Sequence, residues 1–301
     1  MSLNRKKILL VGGTGYIGTA LAKELHDDYA VVVTGRTIGN RKTGLMLRLD
    51  FSNEKSVEEV LSSERFDIII VLAARIEISH PRELDFQDPI FQDNVWGLNR
   101  FLRRACFLQK QAKQIFISSM TVYASDLKSP VSENAPLYPL HPYGLSKLMG
   151  EQIFSYYVVN HDHSGVIFRL PGIFGGNRKT GYLYHLVNKL HTSQDIILDS
   201  AGLGFWESLH LYDFVNMFGE FLRNYSFSSK LEVFNMGYGE ETDFIKTAHT
   251  LKMLTGSSSR IIVKPKDYRK FFMSNRKIAR YVNVEKYSYH QALKQLLKEQ
   301  K

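Results

Sequence analysis

"KILLVGGTGYIGTALAKEL", residues 7–25, decides how this chain is read. An apolar run ends in glycines at positions 12, 15 and 18 and passes directly into a helical pattern. In a strand, turn and helix order, glycines allow a tight turn and a close approach of the backbone to a pyrophosphate. The helix start adds N–H groups and the positive end of its dipole. The Gly-x-x-Gly-x-x-Gly spacing in this context points to dinucleotide binding by Gly12, Thr14, Gly15, Tyr16, Ile17 and Gly18 rather than to a merely tight turn.

The same alternation continues outward. Short apolar runs at 7–13, 30–35, 66–74, 114–119, 166–170 and 231–237 suit strands buried on both faces of a parallel sheet. Amphipathic segments at 17–31, 54–64, 93–112 and 143–160 separate the earlier ones. This predicts a doubly wound α/β sheet over residues 1–170, joined by a later strand near 231–237. After residue 170 the alternation weakens at "GGNRKTGY", "SAGLGFWES" and "LTGSSSR". Residues 171–301 therefore read as a smaller, irregular lobe for substrate contacts.

Composition bounds the rest. The 301 residues are 44% hydrophobic and 12% aromatic, enough for a sizeable core. The apolar stretches fall short of the roughly 18 residues that span a bilayer, and the N-terminus lacks a signal-peptide pattern, so a cytoplasmic protein without membrane partners is expected. The single cysteine, Cys106, excludes an internal disulfide framework or a multi-thiolate metal site, and no metal is expected. The net charge of +9 lies in residues 260–301, with 12 Lys or Arg against 3 Asp or Glu, leaving 27 against 27 before them. Those cations are interspersed with apolar residues, which favours a solvated face or an anionic-substrate site over a nucleic-acid surface.

Further candidates lie at strand ends. The second run ends "VVVTGRT", with Arg36 where an acid would otherwise accept the adenosine ribose hydroxyls. An arginine there suits a 2′-phosphate, so NADP is expected, with NAD the alternative. Asp50 in "LRLDFSN" either accepts from the adenine amino group or serves the next helix start. In "HPYGLSKLMGEQ", Tyr143 and Lys147 are one helical turn apart and share a face. An adjacent ammonium and an oxidised nicotinamide would both lower the phenol's pKa and fit it for proton transfer. Ser119 ends the run "QIFISS", where open α/β sheets bind ligands, with Ser118 and Thr121 as rival hydroxyls.

"GGTGYIG", "VLAA", "NVWGLNRFL", "ISSMTVYA", "PYGLSK" and "NMGYGE", in this order, resemble the extended short-chain dehydrogenase/reductase family across about the whole chain. Its members mostly act on nucleotide-activated sugars as epimerases, dehydratases and ketoreductases. The resemblance implies a Rossmann sheet, with Tyr143 as acid/base, Lys147 on the nicotinamide ribose and Ser119 on the reacting oxygen. It also implies cofactor contacts at Ala73 and Asn94, and a homodimer through the helices beginning near 93 and 143. Two departures stand out. Trp206 occupies the place of an arginine that pairs with the substrate diphosphate, and Gly172 that of an asparagine. Either Arg178, Lys179, Lys264, Lys266, Arg269 or Arg276 serves the diphosphate, or the substrate is a non-nucleotide carbonyl compound. A catalytically silent, cofactor-binding regulatory protein is the remaining alternative.

Overall fold

The computed structural model describes residues 5–37, 45–77, 83–124, 126–198, 207–264 and 271–300. Its strands are β1 (Lys7–Val11), β2 (Ala30–Gly35), β3 (Leu45–Arg48), β4 (Ile68–Val71), β5 (Lys113–Ser119) and β6 (Gly165–Leu170). β7 (Gly172–Phe174), β8 (Ile196–Leu198), β9 (Ser208–His210), β10 (Leu231–Asn235) and β11 (Ile261–Val263) follow. The helices are α1 (Tyr16–Leu25), α2 (Glu54–Ser63), α3 (Pro89–Phe91), α4 (Leu98–Leu108) and α5 (Pro142–Asn160). α6 (Tyr182–His191), α7 (Leu211–Asn224), α8 (Phe244–Thr255) and α9 (Tyr289–Glu299) complete them.

The chain divides into two compact units. The first comprises Met1–Val122, Leu137–Arg169 and Tyr225–Phe234. The second comprises Tyr123–Pro136, Leu170–Asn224 and Asn235–Lys301.

A seven-stranded sheet of order β10-β6-β5-β4-β1-β2-β3 organises the first unit. β1 pairs in parallel with β2 (Ile8 opposite Val31) and with β4 (Ile8 opposite Ile68). Side chains of these strands are buried on both faces, which is why they read as unbroken apolar runs. On one face Val57, Phe101, Leu102, Phe154 and Val158 from α2, α4 and α5 close over Leu9, Ile69 and Phe116. Strand order reverses between β1 and β4, so the crevice at their carboxyl ends is where such a sheet binds ligands.

Several elements differ from their sequence-predicted bounds. The helix expected over 17–31 stops at Leu25, and Asp27 and Asp28, poor helix formers, lie in the turn that feeds β2. The segment expected as one helix over 93–112 begins at Pro89. It passes through a π-helical turn at Gln92–Gly97 and ends at Leu108, where the Gln109 side chain turns inward to donate to the Glu64 carbonyl at 2.8 Å. The strands expected at 7–13, 66–74 and 231–237 end at Val11, Val71 and Asn235. Beyond Val11 the backbone turns through Gly12 and Gly13, whereas beyond Val71 both Leu72 N and Ala73 N donate to Val11 O.

The second unit holds two short parallel pairs, β7 with β9 and β8 with β11. Its helices are closed locally. Asp243 accepts from Lys246 N at the start of α8, Gly256 ends that helix in the left-handed region, and Ser288 caps α9.

Candidate active site

The glycine turn has the shape a dinucleotide needs. Gly12 has φ +81°, and a Cβ on it would stand 2.7 Å from Ala73 N. A Cβ on Gly18 would stand 2.5 Å from Gly13 Cα, so glycine there lets α1 pack against the turn. Gly15 is exposed, a Cβ on it would meet Gly12 O at 3.3 Å, and it caps α1 without any side-chain hydrogen bond. An open turn at a helix start is the kind of surface on which backbone N–H groups and the helix dipole suit an anion. Thr14 packs against Gly35 at the end of β2, Tyr16 and Ile17 are half-buried in the first turn of α1, and Ala73 N donates to Val11 O at 3.1 Å.

Arg36, immediately after β2, is exposed and donates to Asp93 Oδ2 at 3.1 Å. Arg75 Nε donates to the same oxygen at 2.9 Å. Asn94 beside it is buried. Its Oδ1 accepts from Arg75 N at 2.7 Å, and its Nδ2 donates to Arg75 O and to Ser146 Oγ, each at 2.9 Å. Asn94 therefore ties the loop after β4 to α5. Asp50 is not the α2 cap, a role taken by Asn53. Its Oδ1 accepts from both the backbone and the hydroxyl of Ser52, and these bonds hold its carboxyl below the usual range, with Arg36 and Arg48 adding to the effect.

Ser119, Tyr143 and Lys147 come together at the end of β5 and the start of α5. Pro142 opens the helix and His141 caps it, its Nδ1 accepting from Gly144 N at 3.0 Å while its ring stacks on Tyr143. The Tyr143 phenol faces the Ser119 hydroxyl, and Thr121 Oγ1 donates to Ser119 Oγ at 3.0 Å. Ser118 points elsewhere. Its Oγ donates to Glu151 Oε1 at 2.5 Å, as adjacent residues of a strand face opposite ways. Lys147 donates to Ile117 O, and its Nζ lies 4.3 Å from the Phe116 ring centroid.

Burial pushes the Tyr143 phenol up to about 12, and the facing Ser119 hydroxyl pulls the other way. Burial also holds Lys147 down to about 7, against the pull of Glu151 one turn along. In this state the site keeps a neutral phenol.

In the second unit, Arg178 is exposed and bonded to its own loop, through Nε to Thr180 Oγ1 and a terminal nitrogen to Ile173 O. Lys264 is exposed just beyond β11, with its backbone N on Leu198 O. Arg276 and Lys179 are exposed as well. Trp206, Lys266 and Arg269 lie outside the described residues. Gly172 donates through its backbone to Glu207 O at 3.1 Å and offers no side chain to a ligand.

The family model for the NAD dependent epimerase/dehydratase family matches residues 8–237. This chain belongs to that family. It is an enzyme family of the extended short-chain dehydrogenase/reductase type. Among curated relatives, the UDP-glucose 4-epimerase of Mycoplasma genitalium is 27% identical over 87% of this chain and 85% of its own. The dTDP-D-glucose 4,6-dehydratase of Homo sapiens is 23% identical over 83% of this chain and 74% of its own. Among solved structures, the UDP-glucuronic acid 4-epimerase of Bacillus cereus, in complex with UDP-glucuronic acid and NAD, superposes with TM-score 0.82 at 22% identity. That superposition covers 98% of each chain and shows the same fold.

Four features of this epimerase/dehydratase chain escape a reading of the sequence. They are the His141 cap, the carboxylate of Asp93 shared by Arg36 and Arg75, the Glu151–Arg169 pair that engages Ser118, and the buried Glu207. The three acids carry no local spacing signal, whereas "HP" before a helical pattern is a cap signal once histidine is admitted as an acceptor.

Proposed function

We propose that this chain interconverts or dehydrates a nucleotide-activated sugar by hydride transfer at a secondary-alcohol or keto carbon, with Tyr143 as the acid/base. The observation that carries the reading is the placement of Ser119, Tyr143 and Lys147 at the carboxyl end of β5, with Tyr143 facing Ser119 and buried with Lys147 on one helical face. Similarity to relatives named for UDP- and dTDP-sugars supports the substrate class.

The bound dinucleotide supplies the hydride acceptor and, when oxidised, a positive charge beside the phenol. Gly12–Gly18 would hold its pyrophosphate, Asp50 and Ala73 its adenosine, and Lys147 and Asn94 its nicotinamide side. NADP is the expected form because Arg36 follows the end of β2, with NAD the alternative. Tyr143 starts as a phenol, and a cationic neighbour shifts it towards the phenolate that takes a proton from the substrate hydroxyl. Ser119 holds that oxygen, with Thr121 beside it, and Tyr143 returns the proton when the carbonyl is reduced again.

Residues 171–301 provide the substrate lobe in this reading, with Arg178 and Lys264 as diphosphate partners. Exposed Trp96, Phe107, Tyr156 and Val159 on and beside α4 and α5 support a homodimer through those helices. No helix among the described residues is long and apolar enough to cross a membrane. A cytoplasmic enzyme is the reading we adopt.

Incubation with UDP- and dTDP-hexoses, followed by NMR of the sugar ring protons, tests this. An epimer or a 4-keto-6-deoxy product is expected. Conversion of none of them, with reduction of simple carbonyl compounds instead, would favour the non-nucleotide reductase, a reading that the bare Gly172 keeps in play.

A further inference from the structure

Arg36 and Arg75 stand at the carboxyl ends of β2 and β4, the strands that flank β1 and its glycine turn. Both guanidiniums point at one oxygen, Asp93 Oδ2, at 3.1 and 2.9 Å. Two cations sharing a single acceptor is the arrangement a phosphate would take up with several oxygens. Asp93 is fixed in place because it belongs to the π-helical turn whose next residue, Asn94, clasps the backbone N–H and carbonyl of Arg75. The side chains of Arg36, Arg75 and Asp93 are 61%, 37% and 29% exposed, so the cluster opens to solvent where a ligand can reach it. Asp50, held ionised by Ser52, also acts on Arg36. With Arg48, which also acts on Asp50, the five side chains Arg36, Arg48, Arg75, Asp93 and Asp50 sum to +1, so the two carboxylates offset most of the positive charge that a dianion would meet.

From this we infer that Asp93 sets the NAD against NADP preference, by occupying Arg36 and Arg75 in competition with the 2′-phosphate of the cofactor. The inference rests on the reading of Arg36 as the 2′-phosphate partner, and it adds Arg75 as a second partner. NAD carries no group that needs those guanidiniums, so its binding leaves the bridge intact. NADP must draw both arginines off the carboxylate and bear the repulsion of Asp93 against its own phosphate.

The test is calorimetric titration of the full chain with NADP and NAD, and with 2′,5′-ADP and 5′-ADP, which carry the same phosphate contrast without the nicotinamide. Asp93→Asn keeps the side-chain shape and should tighten NADP and 2′,5′-ADP roughly tenfold, leaving NAD and 5′-ADP within about twofold. Arg75→Met should weaken the phosphorylated pair alone. The inference is overturned if Asp93→Asn leaves the NADP to NAD ratio unchanged or tightens both alike. If the ratio is then still lowered by Arg36→Met, the Arg36 reading stands while the role of Asp93 falls. If Arg36→Met leaves the ratio unchanged, the Arg36 reading falls and takes the inference with it.

Discussion

Arg169 on β6 forks onto both carboxylate oxygens of Glu151 on α5, with Nε 3.0 Å from Oε1 and a terminal nitrogen 2.7 Å from Oε2. Both residues are buried, and Glu151 also accepts from Ser118, so the hydroxyl beside Ser119 is committed to this pair. Removing one partner leaves a buried charge uncompensated. Arg169→Met should therefore lower the unfolding free energy by about 3–5 kcal/mol in chemical denaturation. Glu151→Leu combined with Arg169→Met should recover most of that loss, because an apolar pair of similar volume often matches a buried ion pair. A double variant no more stable than the single would mean that the pair is not a separable electrostatic unit.

Lys147 carries an amine that the fold buries at the start of α5. Its ammonium titrates near 7 in the folded chain, against an ordinary 10.5, so the unfolded chain holds more protons between those values. Its cost to stability is full below pH 7 and fades as pH rises towards 10. Lys147→Met should melt higher than the parent at pH 6, lose that advantage near pH 10, and show little turnover at either. Equal melting differences at both pH values would contradict the buried-cation account.

Glu207 titrates in the opposite sense. Its Oε2 accepts from Met273 N at 2.7 Å, Oε1 has no hydrogen-bond partner among the described residues, and burial pushes its carboxyl up to about 8. The folded chain therefore keeps a proton that the unfolded chain gives up near 4.5, and stability falls as pH rises from there to 8. Glu207→Gln, which mimics the protonated group, should melt near the parent at pH 5 and above it at pH 9. Thermal melts showing the same offset at both pH values would remove this residue from the pH dependence.

The sheet and the cofactor turn are legible in the sequence because their signals are local. Gly12, Gly15 and Gly18 follow one strand, and Tyr143 and Lys147 share one helical turn. The rest depends on contacts that strand order creates. Arg36 meets Asp93 from 57 positions away, and nothing in "TGRT" shows that its guanidinium is already paired. The surroundings of Tyr143 are hidden for a related reason: a sequence shows that a lysine is near, but not that both groups are buried. The helix expected over 143–160 spans Pro142–Asn160, but its buried face also carries Tyr143, Ser146, Lys147 and Glu151, polar groups that apolar spacing does not mark.

The most direct measurement is turnover of Tyr143→Phe on whichever nucleotide sugar the parent converts, taken beside its dinucleotide affinity. Phenylalanine keeps the ring that packs at the start of α5 and removes only the hydroxyl that faces Ser119. Turnover should fall at least roughly 10²-fold, the usual worth of a positioned acid/base, with the dinucleotide dissociation constant within about twofold of the parent's. Turnover close to the parent's, with folding and cofactor binding intact, would contradict Tyr143 as the proton-transfer group and with it the proposed mechanism.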